Sequence, residues 1–293
     1  MFTPTAANPP IAVLLTLCAS GFVAGTTLLA KAIGTGALGE PLHPLQISHG
    51  RFLFAFLAIG VAMLATRRRI EKPALATHAA RSLLGWGGVT LMFAAAAFIP
   101  LADATAISFL NPVFGMFFAI LFLGETVGRV RWTAAAIALI GMMILLRPAP
   151  DSFRPASLLA LAAAVALGAE LIFIKRLSGR EAGLQILFIN NVIGLCIASL
   201  ALLAVWQAPS GPQWLALAAI GLLMAAAQFC FVNAMARAEA SFVAPFFYAT
   251  LVFATLYDFL VFDVRPDAVS VTGATVIIAG AALLAWREAR IRT

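Results

Sequence analysis

Charged residues are scarce in this chain, and their scarcity bounds the class of protein. Of 293 residues, 11% are Asp, Glu, Lys or Arg, 63% are hydrophobic, and the mean hydropathy is +1.02. A soluble domain is about one-quarter charged, and so few charges could not cover the water-exposed surface of a soluble chain of this size. The composition argues against a soluble globular enzyme and excludes disordered, collagen-like and disulfide-scaffold chains. It predicts an integral membrane protein that lies in a lipid bilayer.

Cysteine and histidine are also few. The three cysteines lie singly in apolar stretches, with neither metal-ligand spacing nor a disulfide framework. The sequence has no His-Glu-x-x-His motif, no pair of intramembrane aspartates and no Gly-Lys-Ser/Thr phosphate loop. We therefore expect no catalytic residues, no metal, no cofactor and no ATP hydrolysis by this chain. An intramembrane enzyme or a channel is the alternative class, and no converging catalytic groups or external domain support it.

Basic residues outnumber acidic ones, for a formal net charge of +7. They occur singly or in short groups between apolar stretches, whereas nucleic-acid binding needs a clustered basic face. Assigned to alternate loops, 14 of the 19 Lys and Arg residues fall on one side of the membrane and five on the other. The positive-inside rule then places both termini in the cytoplasm. The basic N-terminal segment of a signal peptide is missing from Met1–Pro10.

Ten stretches are long and apolar enough to cross a bilayer as helices, which takes about 20 residues each. The predicted fold class is therefore an all-α integral membrane protein with ten transmembrane helices and short loops. The approximate limits of the spans are 11–33, 45–66, 80–100, 103–124, 131–147, 155–175, 183–206, 213–236, 241–262 and 268–286.

The two halves of the chain share an order of features. Shifted by 138 positions, residues 102–125 align with residues 240–263, and the final acid Glu125 matches Asp263. The next helix of each half carries two small residues seven positions apart, namely Ala134 and Gly141, then Gly273 and Gly280. Five helices per half is an odd number, so the second half starts from the opposite face. The halves are predicted to be inverted five-helix repeats over residues 11–147 and 155–286.

These features resemble a known family. A Pro-containing apolar helix that follows small residues and ends in Leu-Gly-Glu, at residues 102–125, is similar to the EamA repeat of the drug/metabolite transporter (DMT) superfamily. His49-Gly50-Arg51-Phe52 resembles the start of the family's second helix, and residues 240–248 and 262–267 resemble the second repeat. The second repeat departs from the pattern because Thr250 replaces Pro112 and its proline is Pro245. A kink there is expected about one and a half turns away.

The resemblance implies a function. Size and overall character look most like the bacterial YddG-type exporters of aromatic and other amino acids. The resemblance thus implies a secondary transporter that exports small, near-neutral amphipathic metabolites, amino acids above all, by alternating access through a central cavity. The first, third and fourth helices of each half would line that cavity, and no oligomer is required. A DMT carrier for another metabolite or drug is the alternative.

Ionisable residues inside a membrane are functional suspects. Most charges here lie close to predicted span ends, but Glu170 lies deeper, and we expect a proton or ion-pair role for it. Pairing with Lys175 or another basic group is the structural alternative. No Lys or Arg falls at the centre of a span, which argues against phosphate substrates, and the first span lacks the acid that small multidrug pumps use. A substrate with little net charge fits best.

Neutral polar residues reach the middle of the spans. Under the shift of 138, Thr90 corresponds to Gln228, and Phe93, one turn on, corresponds to Phe231. A polar group beside an aromatic ring, repeated by symmetry, is suited to an amphipathic ligand. Ordinary hydrogen bonding between membrane helices is the alternative.

Three further residues complete the predicted substrate-binding set. Trp86 is flanked by glycines, Asn111 precedes Pro112, and Tyr248 comes three residues after Pro245. Because proline removes a backbone donor and leaves a carbonyl free, the Asn111 turn is expected to present polar backbone to a cavity. Asn190 and Asn191 are expected to make structural hydrogen bonds.

Overall fold

A computed structural model describes residues 6–67, 69–96, 98–99, 101–147, 155, 157–263 and 265–291, and over these residues it is helical with no strand. The helices of this described part are α1 Pro9–Gly34, α2 Pro44–Ala65, α3 Leu75–Ala96, α4 Leu101–Ser108, α5 Asn111–Leu123, α6 Arg129–Leu146, α7 Ser157–Ser178, α8 Gly183–Leu202, α9 Gly211–Arg237, α10 Ala240–Val243, a 3₁₀ helix Ala244–Tyr248, α11 Ala249–Phe262 and α12 Ala268–Ile291.

These helices account for the ten predicted spans. Within the described residues, nine helical segments are long and apolar enough to cross a membrane, and α3, with 22 residues, completes the set. It is less apolar than the others because it contains His78, Arg81 and three glycines. The predicted start of this span at residue 80 is wrong, since α3 begins at Leu75, soon after Pro73. The predicted start leaves Arg81 at the very end of the span, whereas in the structure it lies in the second turn of α3.

Local chemistry sets where the helices begin. Prolines occupy the first turn of α1, α2 and α9, where a missing N–H costs nothing. At α9, the Ser210 hydroxyl accepts a hydrogen bond from the backbone N–H of Gln213. In return, the side-chain oxygen Oε1 of Gln213 accepts one from the backbone N–H of Ser210 at 2.8 Å. This capping box is readable from the sequence, and it starts α9 two residues before the predicted limit.

The fourth and ninth spans are both interrupted. In the fourth, α4 ends at Ser108 and α5 begins at Asn111 with Pro112 in its first turn. In the ninth, the 3₁₀ helix Ala244–Tyr248 separates α10 from α11 and has Pro245 in its first turn. Shifted by 138 residues, the two interruptions overlap, so the expected offset of about one and a half turns is wrong. The prolines occupy different positions around one shared break.

Helices from the two halves interlock. The most extensive contacts of α1 are with α9 and then α11, and those of α7 are with α3 and then α5. The two sets of contacts are equivalent when each helix is replaced by its counterpart in the other half. The counterparts are α1 and α7, α9 and α3, and α11 and α5. This reciprocal packing is what a pseudo-twofold relation between two five-helix repeats requires.

The crossing of α6 and α12 shows the same symmetry at atomic detail. A Cβ atom added to Gly141 would lie 2.8 Å from the Gly273 carbonyl oxygen, and one added to Gly280 would lie 3.0 Å from the Ala134 carbonyl oxygen. The two contacts are equivalent under the repeat, because Ala134 corresponds to Gly273 and Gly141 to Gly280. The small residues at seven-residue spacing therefore let the two backbones touch.

The Leu-Gly-Glu end of α5 has a structural task. Gly124 takes the left-handed conformation with φ of 67°, which turns Glu125 towards the start of α10. The Glu125 carboxylate accepts hydrogen bonds from the N–H groups of Ala240 (2.8 Å) and Ser241 (2.9 Å) and from the Ser241 hydroxyl (2.6 Å). The carboxylate thereby ties the two halves together and satisfies free donors at a helix start.

Replacing Glu125 by glutamine is expected to lower the free energy of unfolding by about 1–2 kcal/mol, because the amide nitrogen cannot accept a hydrogen bond from these N–H groups. The measurement is thermal or denaturant unfolding in detergent. Glu239→Gln is the matched control, since Glu239 pairs with Arg131 at an exposed position and such pairs contribute little. Equal losses in the two variants would contradict the capping role.

Candidate substrate site

Arg81 and Glu170 form an ion pair inside the helix bundle. Arg81 lies in the second turn of α3, and its Nε atom is 3.7 Å from the Glu170 Oε1 atom on α7. The Arg81 side chain is 4% exposed and that of Glu170 is 21% exposed. The expected ion-pair partner of Glu170 is therefore Arg81 and not Lys175, which donates to the Met235 (2.7 Å) and Ala238 (2.5 Å) carbonyl oxygens.

Two features hold Glu170 in place. Gly85 lies one turn after Arg81 on the same face of α3, and a Cβ atom there would be 2.8 Å from each carboxylate oxygen of Glu170. Any larger residue at this position would require the Glu170 carboxylate to move away from its place beside α3. Arg51 on α2 adds a second positive charge that interacts electrostatically with Glu170, while its guanidinium lies 4.1 Å from the centroid of the Phe52 ring.

Two separate hydrogen bonds link sequence neighbours of this pair and of one another across two more helices. Ser82, next to Arg81, donates to the Asn190 Oδ1 atom on α8 at 3.1 Å. Asn191, next to Asn190, donates to the Gln228 Oε1 atom on α9 at 2.8 Å. We call the residues Glu170, Arg81, Ser82, Asn190, Asn191 and Gln228 the polar chain. It links α7, α3, α8 and α9 within the apolar bundle.

Several polar atoms of this chain are left without a partner. Among the described residues, Arg81 Nε, Arg81 Nη1 and Asn191 Oδ1 are buried and have no hydrogen-bond partner. The distance of 3.7 Å between Arg81 Nε and Glu170 Oε1 is too long for a hydrogen bond, so the two charges attract without one. Buried donors and acceptors normally find partners, which makes this cluster the strongest candidate for holding a polar ligand.

The residues predicted on α3 follow Arg81 along the same helix. Trp86 is half-buried, and its carbonyl oxygen accepts a hydrogen bond from the Thr90 hydroxyl at 2.8 Å. Thr90 is exposed, and its hydroxyl is thus committed to its own helix. Phe93 falls on the same helix face by spacing, but its side chain lies outside the described residues.

The other predicted residues lie at separate places in the bundle. Gln228 belongs to the polar chain, whereas Phe231 packs edge-on against Phe247 with ring centroids 5.4 Å apart. Tyr248 is fully buried, and its ring lies 6.4 Å from that of Phe109. Asn111 donates to the Ser108 carbonyl oxygen at 3.0 Å, across the break between α4 and α5. The structure therefore joins Trp86 to Thr90 and Gln228 to Glu170 through the polar chain, and it gives Phe231, Asn111 and Tyr248 neighbours of their own.

Arg81 is not among the predicted site residues, because the predicted span begins only one residue before it. In the structure α3 begins five residues earlier, at Leu75, which brings Arg81 to the second turn of the helix but not to its centre. The signal that would have found it is Pro73, after which a helix beginning at Leu75 carries Arg81 and Gly85 on one face at a spacing of four.

Glu181 fixes the start of α3 against the α7–α8 loop. Its carboxylate accepts from the Ala74 N–H at 2.7 Å and from the Gln185 amide at 2.7 Å, and it lies 2.9 Å from the His78 Nε2 atom. His78 is one turn before Arg81 and fully buried. These contacts hold the first turns of α3, and with them the position of Arg81.

Acidification is expected to loosen this end of α3. Burial by itself raises the pKa of Glu181, but hydrogen bonds from Ala74, His78 and Gln185 together lower the pKa below its usual 4.5. A group with a lowered folded pKa adds stability that is present above the ordinary pKa and is lost as the pH falls through the folded pKa. The Glu181→Gln variant should therefore show faster amide hydrogen exchange over residues 71–78 than the native chain at about pH 6. The native chain should show the same fast exchange only in acid. Equal protection of the two proteins at about pH 6 would contradict the role proposed for the Glu181 carboxylate.

Comparison with known proteins identifies the family. The model of the EamA-like transporter family matches residues 10–147 and again residues 154–286. A riboflavin transporter of Vibrio cholerae is 32% identical over 233 residues, 78% of this chain and 77% of the relative. An S-adenosylmethionine uptake transporter of Rickettsia felis is 26% identical over 258 residues, 86% of each chain. A pseudopaline exporter of Pseudomonas aeruginosa is 26% identical over 200 residues, 68% of this chain and 70% of the relative.

A solved crystal structure has the same fold. It superposes with a TM-score of 0.82 over 98% of this chain and 100% of the other, at 20% sequence identity. The double match to the family model, the reciprocal packing of the two halves and this shared fold agree. The chain belongs to the EamA-like transporter family of the drug/metabolite transporter superfamily, and it is a multi-pass membrane transporter.

Proposed function

We propose that this transporter carries small amphipathic metabolites that combine an amino-acid group with an aromatic ring. The observation that supports this most is the buried Arg81–Glu170 pair, whose guanidinium donors are unpartnered within the described residues. Aromatic amino acids and S-adenosylmethionine are the two representatives of the class that we put to the test.

The chemistry of the pair suits a zwitterion. A substrate carboxylate would be bound by the Arg81 guanidinium, and a substrate ammonium would be bound by the Glu170 carboxylate. The net charge added is close to zero, so the pair stays balanced within the membrane. A phosphate would meet the negative charge of Glu170, and a simple cation would meet Arg81 and Arg51.

The ring of the substrate needs an apolar surface. Trp86 is half-buried five residues after Arg81, and it shares a helix face with Thr90 and Phe93. Trp86, Thr90, Phe93, Asn111, Gln228, Phe231 and Tyr248 remain the proposed binding residues, and Arg81 joins Glu170 in the charged part of the site.

The named relatives bear on the substrate class. S-adenosylmethionine contains an amino-acid group and an aromatic base, which match the two parts of the proposed site, but its sulfonium adds a positive charge that the Arg81–Glu170 pair does not balance. Riboflavin is aromatic but carries no amino-acid group, and it is the second candidate because the two riboflavin transporters are the more identical relatives, at 32% and 33%. Amino-acid export, which the resemblance implied, remains part of the proposal.

Transport would proceed by alternating access between the repeats 11–147 and 155–286. Ion pairs lie at two different levels, Arg81–Glu170 between α3 and α7 and Lys31–Asp258 (2.7 Å) between α1 and α11 near the opposite end of the bundle. Both termini would lie in the cytoplasm, as the loop charges predict. Binding of substrate at the first pair and rearrangement of the second would be one way to couple the substrate to the opening of the opposite face.

The decisive measurement is transport into and out of proteoliposomes that contain the purified chain. The panel is tryptophan, phenylalanine, S-adenosylmethionine, riboflavin, glycerol 3-phosphate and ethidium, with protein-free liposomes as the blank. We expect saturable movement of at least one amino-acid-containing aromatic solute and none of glycerol 3-phosphate. Movement of riboflavin alone would favour the second candidate, and movement of the phosphate would overturn the proposal. Efflux and uptake are compared under equal gradients to determine direction.

Within the neutral part of the site, Gln228→Met is expected to weaken transport more than Thr90→Val does. Gln228 accepts a hydrogen bond from the Asn191 Nδ2 atom, and its loss leaves that atom only the bond to the Leu187 carbonyl oxygen, beside the unpartnered Asn191 Oδ1 atom. The Thr90 hydroxyl bonds its own helix, so valine of similar size removes little. Initial transport rates of both variants provide the test, and unchanged transport in both would remove these residues from the site.

A further inference from the structure

A cavity lies away from the polar chain, at the end of the bundle where α2 and α7 end. It has a volume of about 1240 Å³ and is bounded by the loop after α2, the α7–α8 loop, the start of α8 and one face of α9. Four cations line it, Arg67, Arg69, Lys72 and Arg180, and all four are exposed. We call the cavity that these four cations line the basic cavity.

An apolar groove adjoins the basic cavity. It has a volume of about 460 Å³ between α2 and α8 and is lined by Phe56, Leu57, Gly60, Val61, Leu64 and Phe188. Met63 and Ile70 line both the groove and the basic cavity, so the two are continuous. Val61 and Leu64 are 65% and 79% exposed, which places the groove on the outer, lipid-facing side of the bundle.

The loop that carries three of the cations is held in place. The Gln185 side chain accepts from the Glu71 N–H at 2.8 Å and donates to the Glu71 carbonyl oxygen at 3.0 Å. The nearby Glu181 carboxylate is already engaged by Ala74, His78 and Gln185. Two acids line the cavity, Glu71 and Glu181. The Glu181 carboxylate is engaged, and the Glu71 side chain makes none of the contacts described for this loop. Because four cations face two acids, positive charge dominates the cavity.

We propose that the basic cavity and the apolar groove form one site for an acidic phospholipid of the surrounding bilayer. The lipid phosphate would contact Arg67, Arg69, Lys72 and Arg180, and one acyl chain would lie in the groove along α2. A soluble phosphate would leave the groove unfilled, and a zwitterionic lipid would gain little from four cations. Basic pockets between helices at the membrane interface have the chemistry that acidic head groups require.

The site has a mechanical consequence. Its walls belong to α2, α8 and α9 together with the α7–α8 loop, so an occupant contacts elements of both halves. A bound acidic lipid would stabilise the arrangement of these elements by mass action. This inference concerns lipid, not the transported solute, and it holds or fails independently of the proposed substrate class.

The test measures the melting temperature of the purified chain in detergent with added dioleoyl phosphatidylglycerol or dioleoyl phosphatidylcholine at equal concentration. Native mass spectrometry of the same samples counts the lipids that stay bound. We expect phosphatidylglycerol to raise the melting temperature and to be retained as one copy, and phosphatidylcholine to do neither. Inorganic phosphate and glycerol 3-phosphate are run in parallel and should have no effect.

Variants locate the site. Neutralisation of Arg67, Arg69, Lys72 and Arg180 by glutamine, singly and together, should weaken retention about fivefold for each cation removed. Gly60→Leu fills the groove, where an added Cβ atom meets only the Phe188 ring at 3.9 Å, and it should weaken retention with all four cations intact. Arg129→Gln with Arg287→Gln is the control, because both residues are exposed on α6 and α12.

Three results would overturn the proposal. Full retention of phosphatidylglycerol by the fourfold variant would show that the basic cavity does not bind it. Equal loss in the control variant would show a diffuse effect of surface charge. An equal response to inorganic phosphate would show an anion site without a lipid chain. The single substitutions and the mass-spectrometric count on the native chain keep the test valid if the fourfold variant is unstable.

Discussion

Substitution of Arg81 by methionine is expected to reduce transport to less than about one-tenth of its initial rate. Two effects combine in this variant. The unpartnered guanidinium donors proposed to bind the substrate carboxylate disappear, and Glu170 is left as an uncompensated charge inside the membrane. Removing one partner of a buried ion pair costs about 3–5 kcal/mol, so the variant should also be less stable.

The double variant Arg81→Met with Glu170→Gln separates the two effects. When both members of a buried pair are made neutral, stability is often unchanged or improved. We therefore expect the double variant to melt close to the native chain and yet to transport as poorly as Arg81→Met. Initial rates in proteoliposomes and melting temperatures in detergent are measured on the same preparations.

Arg147→Met is the matched control for charge. Arg147 pairs with Asp267 at an exposed position near the opposite end of the bundle, where the arginine side chain is 46% exposed, and its loss should leave transport nearly intact. If the double variant transported at the native rate, the Arg81–Glu170 pair would have only a structural role, and the proposed charged part of the site would be wrong.

The second large effect is expected at the crossing of α6 and α12. Alanine at Gly141 would place its Cβ atom 2.7 Å from the Ile277 nitrogen and 2.8 Å from the Gly273 carbonyl oxygen. Both are backbone atoms, so no change of rotamer can relieve the clash and the helices must separate. We expect Gly141→Ala to lower the free energy of unfolding by about 1–3 kcal/mol and Gly141→Leu to prevent stable folding.

The symmetry of the repeats sharpens this prediction. Gly273→Ala presses on the same crossing from the other helix, 2.8 Å from the Gly141 carbonyl oxygen, and should have an effect of similar size. Gly87→Ala is the control, because an added Cβ atom there meets nothing within 4 Å and alanine favours the helix. Unfolding in detergent is the measurement, and a native-like Gly141→Ala would contradict the close backbone contact.

Much of the fold can be predicted from the sequence because the bilayer simplifies the physics. Each span must satisfy its own backbone hydrogen bonds, so long apolar runs such as residues 213–236 predict helices directly. The spacing of the small residues Ala134, Gly141, Gly273 and Gly280 is visible in the sequence, although not the particular contacts that they make. Pro112 and Pro245 indicate that the fourth and ninth spans are interrupted. They do not indicate that the two breaks occupy equivalent positions in the repeats, because those positions depend on packing against neighbouring helices.

The site is less predictable than the fold. The depth of Glu170 marks it in the sequence, and polarity and the counterpart Thr90 mark Gln228. Their connection passes through Ser82, Asn190 and Asn191 and involves four helices. Such contacts join residues that are far apart in the sequence, and Ser82 and Asn190 are separated by 108 positions. Thr90 and Gln228 correspond under the repeat, yet one bonds its own helix and the other bonds α8.

Low charge and periodic apolar runs, by themselves, determined that this chain is a ten-span helical membrane protein of two related halves, because lipid admits few alternatives. Only the tertiary structure decided where the remaining charge goes. It brings Arg81 into the bundle against Glu170 and opposite Gly85, because helices from the two halves interlock and place residues from α3 and α7 side by side. The sparse charges therefore mark more than topology. A few of them lie buried, where a membrane can hold charge only in pairs.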